Sequence, residues 1–265
     1  MILLMDSYYD WAGLFTLGGL LSLITLALLE IVLGIDNIIF VAIVTGKLGK
    51  EKQKRARTLG LLLALLMRIA LLFSLTWIIR FSHPLVYLSA SSPFVSAEPI
   101  ATESFALSLR DLILFGGGIF LLISATVEIN KKIIGLETQE EQTVAPRNFR
   151  KAIFQIMLID VVFSFDSILT AIGLANNVII MIAAVVVAMI AMIQFSGAVS
   201  KIINEYPTIK MLALAFLLMI GMVLVADGLH FHVPRGYVYF SVAFSLLVEF
   251  LNLRMKRNAD RRKSV

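Results

Sequence analysis

Cysteine is absent from this chain of 265 residues, which excludes disulfide frameworks, thiolate metal sites and cysteine nucleophiles. Charged residues are also scarce, at 15% of the chain, whereas hydrophobic residues make up 59%. Soluble domains are typically about 45–50% apolar and about 25% charged. A chain with so few charges and so many apolar residues is therefore predicted to have lipid as its solvent.

Seven apolar runs divide the chain, each long enough to cross about 30 Å of hydrocarbon as a helix. They lack the alternation of membrane strands, so we predict an all-α membrane protein with about seven transmembrane helices. The first run is too long for one straight span, so we expect it to tilt, to break or to extend past the membrane, with Gly18-Gly19 or Gly34 as the positions for a break. The runs cover residues 12–46, 58–79, 109–130, 152–175, 177–200, 208–229 and 236–254.

Basic residues alternate between rich and poor connecting loops, and this alternation predicts the orientation. Six lysines and arginines lie between positions 47 and 57, whereas the loop around Asn176-Asn177 has none. The positive-inside rule then places the N-terminus outside and the C-terminus in the cytoplasm. Because the net charge of +5 is explained by this placement, nucleic acid is not an expected partner.

Two segments share one pattern of acidic residues. Glu30 to Ile38 (EIVLGIDNI) matches Asp160 to Ile168 (DVVFSFDSI), with two acids at the same offset. Since three spans separate the copies, the second enters the membrane from the opposite side, which predicts two inverted three-helix repeats plus a seventh helix. The predicted domains are a first repeat over 12–130, a cytoplasmic linker over 131–151, a second repeat over 152–230, a seventh helix over 236–255 and a basic cytoplasmic tail over 256–265.

The duplicated acids are expected near the middle of the bilayer. Asp36 and Asp166 each lie about ten residues from a span end, or about 15 Å deep at 1.5 Å per residue. A charge there costs about 2.5–3.5 kcal/mol on insertion scales, and it is tolerated beside a cavity, a partner or an ion. Carboxylate, amide and hydroxyl oxygens suit hard cations such as Mn²⁺, Mg²⁺ or Ca²⁺. The predicted metal ligands are Glu30, Asp36, Asn37, Asp160, Asp166 and Ser167.

A regular helix would turn Asp36 and Asp166 away from the face that holds the other ligands. We expect Gly34 and Ser164 to relax the backbone and let the acids converge. Arg68 has two interpretations that the sequence does not separate: a counter-ion that moves as a metal enters, or a fixed structural partner of the acids. Two weaker similarities support the repeat: Arg68 matches Gln194, and Glu128 matches Asp227. Five residues are predicted to support the site or line a pathway to it: Arg68, Glu128, Thr170, Gln194 and Asp227.

At these motifs the sequence resembles the TerC family of integral membrane proteins, over roughly residues 12–254. The resemblance implies a protein of the bacterial cytoplasmic membrane that exports metal ions, notably manganese, and it links the chain with tellurium resistance. It also implies an organisation similar to that of LysE-type exporters, which carry inverted three-helix repeats. No prosthetic group is implied, because the divalent cation is the substrate.

The favoured hypothesis is a transporter that exports divalent cations, Mn²⁺ first among them, by alternating access through the midplane carboxylates, with protons as candidate coupling ions. The alternative is a membrane-embedded assembly or metal-delivery factor that docks protein partners through an external loop at residues 81–108. An enzyme is not expected. The Gly-x-Gly-Asp motif of intramembrane aspartyl proteases is missing, and no histidine reaches the midplane for a Ser-His hydrolase.

Overall fold

The computed structural model describes residues 12–74, 84–88, 105–135, 148–174, 177–231 and 233–263. A short 3-10 helix, Ala12–Phe15, precedes eight α-helices in this part of the chain. Their bounds are α1 Leu17–Leu33, α2 Ile35–Gly46, α3 Lys50–Phe73, α4 Leu109–Ile133, α5 Phe149–Leu174, α6 Val178–Glu205, α7 Pro207–Gly228 and α8 Arg235–Lys263. Two strands, β1 Pro84–Leu88 and β2 Phe105–Ser108, pair antiparallel between α3 and α4.

Polar side chains explain where several helices begin. The Thr16 hydroxyl accepts a hydrogen bond of 3.0 Å from the Gly19 amide at the start of α1. Ser108 and Asp111 form a capping box at the start of α4, and the Asn177 side chain caps α6. These oxygens satisfy N–H groups that a helix leaves unpaired in its first turn, which an apolar environment would otherwise leave unsatisfied.

The first apolar run contains the expected break, and the break is at Gly34. α1 ends at Leu33, α2 begins at Ile35, and the two helices are bent by 41°. A Cβ atom at Gly34 would lie 2.4 Å from Met192 Sδ and 2.9 Å from the carbonyl oxygen of Glu30. Glycine is therefore needed here, because it lets α6 approach the bend closely. The other expected position, Gly18-Gly19, lies inside the continuous α1.

The predicted apolar runs all correspond to helices, but not every helix meets the length and composition expected of a span. Five do so in the part of the chain that the structure describes: α3, α4, α6, α7 and the segment Gly236–Lys256 of α8. The bent pair α1–α2 makes a sixth if it is counted as one span. α5 is outside this set, although its 26 residues extend for about 39 Å. The count of seven crossings therefore stays a prediction.

The two long connections are only partly described. The strands β1 and β2 lie inside the predicted external loop 81–108, and Leu88 is opposite Phe105 in the pair. Of the predicted linker 131–151, residues 136–147 lie outside the described residues. The described residues of the predicted tail continue α8 as far as Lys263.

Close packing of α4 against α7 depends on glycine. The two helices run antiparallel and cross at Gly118 and Gly221. α3 packs along α5, where Gly60 contacts Ile156, and α6 packs along the bent pair α1–α2. By contrast, α8 packs mainly on α7 and leaves most of its large apolar side chains exposed, as expected for a lipid-facing helix.

Replacement of Gly118 by alanine should destabilise the fold. The new Cβ would lie 2.8 Å from the Gly221 carbonyl oxygen and 2.8 Å from the Val225 amide nitrogen, which are backbone atoms that move only if α4 and α7 separate. We expect a loss of about 1–3 kcal/mol, measured as a lower thermal unfolding midpoint of the purified protein. Gly116→Ala is the matched control, since nothing lies within 4 Å of its added Cβ. Equal midpoints for the two variants would contradict this account of the packing.

Candidate functional site

A single arginine lies at the centre of a buried polar cluster. Arg68, on α3, is only 2% exposed. Its Nη1 atom donates to Glu30 Oε2 at 2.5 Å, and its Nη2 atom donates to Asp160 Oδ1 at 3.0 Å. Glu30 is on α1 and Asp160 is on α5, so the guanidinium joins the first helices of the two predicted repeats.

Two further side chains complete the cluster. Arg68 Nε donates to Ser164 Oγ at 2.9 Å, and Ser164 Oγ donates to Asp160 Oδ2 at 3.2 Å. Asn37 Nδ2, on α2, donates to Asp160 Oδ1 at 3.1 Å. Asp160 therefore accepts hydrogen bonds from three side chains, whereas the Glu30 carboxylate accepts only from Arg68 within the described residues. Such bonding is what allows charges to remain buried, since burial of an unpaired ion is strongly unfavourable.

The cluster has an excess of acceptors and of negative charge. Two carboxylates face one guanidinium, which gives a formal charge of −1 when all three groups are ionised. Asn37 is 5% exposed, and its Oδ1 atom is buried without a hydrogen-bond partner within the described residues. An unsatisfied buried oxygen destabilises a protein by about 1–3 kcal/mol. The Asn37 Oδ1 atom, held close to Asp160, can therefore accept a hydrogen bond or coordinate a cation.

Asp36 lies in the first turn of α2, two residues after the bend at Gly34. It is 7% exposed and lines a cavity of about 20 Å³ together with Tyr239 of α8 and a ring of apolar side chains. A cavity needs about 10–15 Å³ to hold one water molecule, so this one has room for a single small species. The apolar lining consists of Phe163, Ile220, Val223, Leu224 and Val238. The break at Gly34 therefore leaves Asp36 in its own small cavity.

The expected convergence of four carboxylates is not seen in the described part of the chain. No three Asp, Glu or His side chains there come close enough to hold a metal ion together. The expectation that Ser164 would relax α5 is wrong, because α5 is continuous from Phe149 to Leu174 and Ser164 bonds Arg68 instead. Ser167 Oγ donates to the Ser164 carbonyl at 3.4 Å. Asp166 and Thr170 belong to α5, but their side chains lie outside the described residues.

The predicted pathway residues are dispersed. Glu128, buried on α4, forms an ion pair with Lys47 at the end of α2. Asp227 is buried at the end of α7, and its carbonyl accepts a hydrogen bond from the His230 amide at 3.1 Å. Gln194 is exposed on α6, so the structure does not place it in the buried cluster.

Sequence reasoning missed one polar pair at the opposite end of α4. His230 Nε2 lies 2.9 Å from Asp111 Oδ2, and Asp111 also accepts from the amide and hydroxyl of Ser108. The S-x-x-D spacing from Ser108 to Asp111 is a capping signal that was available in the sequence. Its pairing with His230 required knowledge that α4 and α7 are antiparallel neighbours.

The two acids of the cluster should differ in their effect on stability. Asp160→Asn disturbs bonds from three side chains, so we expect it to reduce the free energy of unfolding by about 3–5 kcal/mol. Glu30→Gln disturbs one such bond and should reduce it by about 1–3 kcal/mol. Glu205→Gln is the control, because Glu205 is exposed and its carboxylate lies 3.7 Å from the Lys201 ammonium group on the helix surface. Denaturant titration measures all three, and a larger effect of Glu30→Gln would disprove the assigned bonding.

The chain has clear similarity to known proteins. Residues 15–264 match the family model described as "Integral membrane protein TerC family". The chain is 44% identical over 239 residues to UPF0053 inner membrane protein YgdQ of Escherichia coli (strain K12), covering 90% of this chain and 94% of that protein. It is 41% identical over 237 residues to a UPF0053 protein of Haemophilus influenzae, covering 89% of this chain and 94% of the relative.

A longer relative shows that the matched region also occurs inside larger proteins. UPF0053 inner membrane protein YoaE of Escherichia coli (strain K12) is 39% identical over 254 residues, which is 96% of this chain. That match covers 45% of YoaE, so this chain spans less than half of that relative. No solved structure matches the chain.

Proposed function

Since this chain belongs to the TerC family of integral membrane proteins, we propose that it transports divalent metal cations across the bacterial inner membrane, with Mn²⁺ as the principal substrate. Relatives named as inner membrane proteins and several apolar helices support a multi-pass protein of that membrane. The observation that carries the transport proposal is the unpaired Asn37 Oδ1 atom, buried beside Asp160 in a cluster with excess negative charge.

The ligand chemistry of the cluster favours hard cations. Glu30 and Asp160 supply carboxylate oxygens, and Asn37 and Ser164 supply amide and hydroxyl oxygens. Mn²⁺, Mg²⁺ and Ca²⁺ prefer such oxygens, whereas Cu⁺ and structural Zn²⁺ sites use the softer sulfur ligands that this chain lacks. A divalent cation would be attracted by this negative charge and would give Asn37 Oδ1 a partner.

A matching register of buried residues supports the inverted repeat. Every buried position of α3 has a buried position in α6 located 124 residues later, as 56 and 180 illustrate. A shift of 128 residues matches equally well, and the contacts of Arg68 with Ser164 and of Met192 with Gly34 favour the shift of 124. The six pairs are Ala56 and Ile180, Gly60 and Ala184, Leu61 and Val185, Ala64 and Ala188, Arg68 and Met192, and Leu72 and Ser196. Two helices that occupy equivalent places in related repeats are expected to bury equivalent positions.

Reciprocal contacts between α4 and α7 support the same arrangement. A Cβ at Gly118 would contact Val225, and a Cβ at Gly221 would contact Leu122. The two glycines lie 103 positions apart, and the same shift relates Leu122 to Val225, which is compatible with a pseudo-two-fold axis at the crossing.

Alternating access needs contacts that open in turn at the two ends of the repeats. The polar pairs of α4 are suited to this role, since Lys47–Glu128 lies towards its C-terminal end and His230–Asp111 at its N-terminal end. Both pairs are formed in this conformation. Under this proposal the two pairs would open one at a time.

Metal flux into liposomes that hold the purified full chain tests the proposal. We expect Mn²⁺ uptake, and we expect Asn37→Ala to lower its rate by about tenfold, equivalent to about 1.4 kcal/mol. Asn252→Ala removes an amide from an exposed position on α8 and should leave the rate unchanged.

The same assay with Mg²⁺, Ca²⁺ and Zn²⁺ measures the ion selectivity of the chain. Asp36→Asn and Asp166→Asn test whether those two acids belong to the pathway. Absence of flux for every divalent cation would overturn the proposal.

The strand pair favours a second candidate function, in which the chain is a membrane-embedded factor that delivers metal to exported proteins or assists their assembly. β1 and β2 give the predicted external loop 81–108 a regular element that is a candidate docking surface. Replacement of residues 89–104 by an Asn-Gly turn would keep both strands and shorten the connection between them.

Under this second candidate function, the shortened chain should still transport Mn²⁺ in liposomes but should fail to support metal loading of exported enzymes in cells. Metal content of those enzymes, purified from cells with the original or the shortened chain, is the measurement. Normal metal loading with the shortened chain would exclude docking through this segment.

A further inference from the structure

Pseudo-symmetry gives Arg68 a counterpart, and the counterpart is uncharged. Two registers match the buried residues of α3 with those of α6, and they place either Met192 or Ser196 where Arg68 lies on α3. Contacts with the other repeat select Met192. Both residues make the equivalent contact with the other repeat: Arg68 Nε lies 2.9 Å from Ser164 Oγ, and Met192 Sδ packs against Gly34. Gly34 and Ser164 are themselves equivalent, since they occupy the same place in the two acidic segments. The repeats therefore differ in charge at one matched pair of central positions.

The charge at this position decides what the cluster can hold. With Arg68 in place, Glu30 and Asp160 have one resident positive charge, and their formal sum is −1. Addition of a divalent cation beside the guanidinium would put two like-charged groups within a buried space, where repulsion is poorly screened. Removal of the guanidinium from the carboxylates lets one divalent cation balance both of them.

We infer that Arg68 is the resident cation of the transport site: its guanidinium binds Glu30 and Asp160 when no metal is present, and a divalent cation binds as that guanidinium leaves. This inference rests on the proposed function and deepens it, because it names the group that competes with the substrate. The unpaired Asn37 Oδ1 atom supports it independently, since a guanidinium bound to the acids leaves that oxygen unused and a metal ion would use it.

Competition by arginine has a consequence for release. The guanidinium remains protonated at any physiological pH, so its return to Glu30 and Asp160 displaces the metal without protonation of either acid. A fixed charge also prevents the site from binding its substrate too tightly for turnover. Arg68 would then lower the affinity for metal and raise the rate of transport. A purely structural arginine would not change these two quantities in opposite directions.

Arg68→Met tests the inference, because it installs the residue that the other repeat already has. With the full chain in detergent, titration of free Mn²⁺ followed by electron paramagnetic resonance should show at least tenfold tighter binding than the original chain. Mn²⁺ flux in liposomes should fall at least tenfold, because release is slowed. Arg57→Met is the matched control on the same helix, at a position that is partly exposed, and it should change neither quantity.

A second variant and a stability measurement guard against misfolding. Arg68→Lys keeps one charge but loses the planar donors that span both carboxylates, so its Mn²⁺ affinity should lie between those of the original chain and R68M. Mn²⁺ should also raise the thermal unfolding midpoint of R68M by more than it raises that of the original chain. Binding by R68M and R68K no tighter than the original, or an equal rise in midpoint, overturns the inference. An original chain that neither binds nor moves any divalent cation overturns the proposed function instead.

Discussion

The guanidinium of Arg68, held between Glu30 and Asp160, is the interaction on which the arrangement of the central helices depends. It joins α1, α3 and α5 in an interior where two carboxylates without a cation would repel each other. Ser164 and Asn37 orient Asp160 within the same cluster. The surrounding helices pack closely because small residues line their contacts, as Gly60 does beside Ile156 and Gly118 beside Gly221. Polar specificity at the centre and small-residue packing around it therefore define one structural unit.

This combination is compatible with the proposed transport function. A buried ion pair gives little net stability compared with apolar packing, but its geometry is specific and it can be exchanged for another charge. Under the proposed function, the metal and the guanidinium would bind the same acids, so the folded chain would have two ways to neutralise them. The close α4–α7 crossing at Gly118 would remain intact while the polar pairs at the ends of α4 open and close. Transport would then change a few charged contacts and leave the apolar packing largely unchanged.

Several features of the fold and the site were predictable because membrane sequences are strongly constrained. The apolar runs located the helices, and the length of the first run indicated a tilt, a break or an extension, of which the structure shows a break at residue 34. The duplicated acids drew attention to Glu30 and Asp160, which lie on either side of Arg68, and their role as metal ligands stays a prediction. Gln194, which the sequence analysis matched with Arg68, is exposed on α6 and lies outside the buried cluster. One helical turn contains several polar positions, and sequence spacing does not show which of them faces a neighbouring helix.

Taken alone, the sequence determined that this chain belongs in lipid as a set of apolar helices, and that acids recur in two of them. Those conclusions follow from composition and local spacing, which act within one segment at a time. Only the tertiary structure decided that Glu30 and Asp160 share Arg68 while Asp36 lies in a separate cavity with Tyr239. It also decided that α4 and α7 cross at paired glycines. The physical reason is that contacts between distant helices depend on how each helix is rotated and tilted. The bend at Gly34 changes both for α2, and no local sequence pattern encodes them.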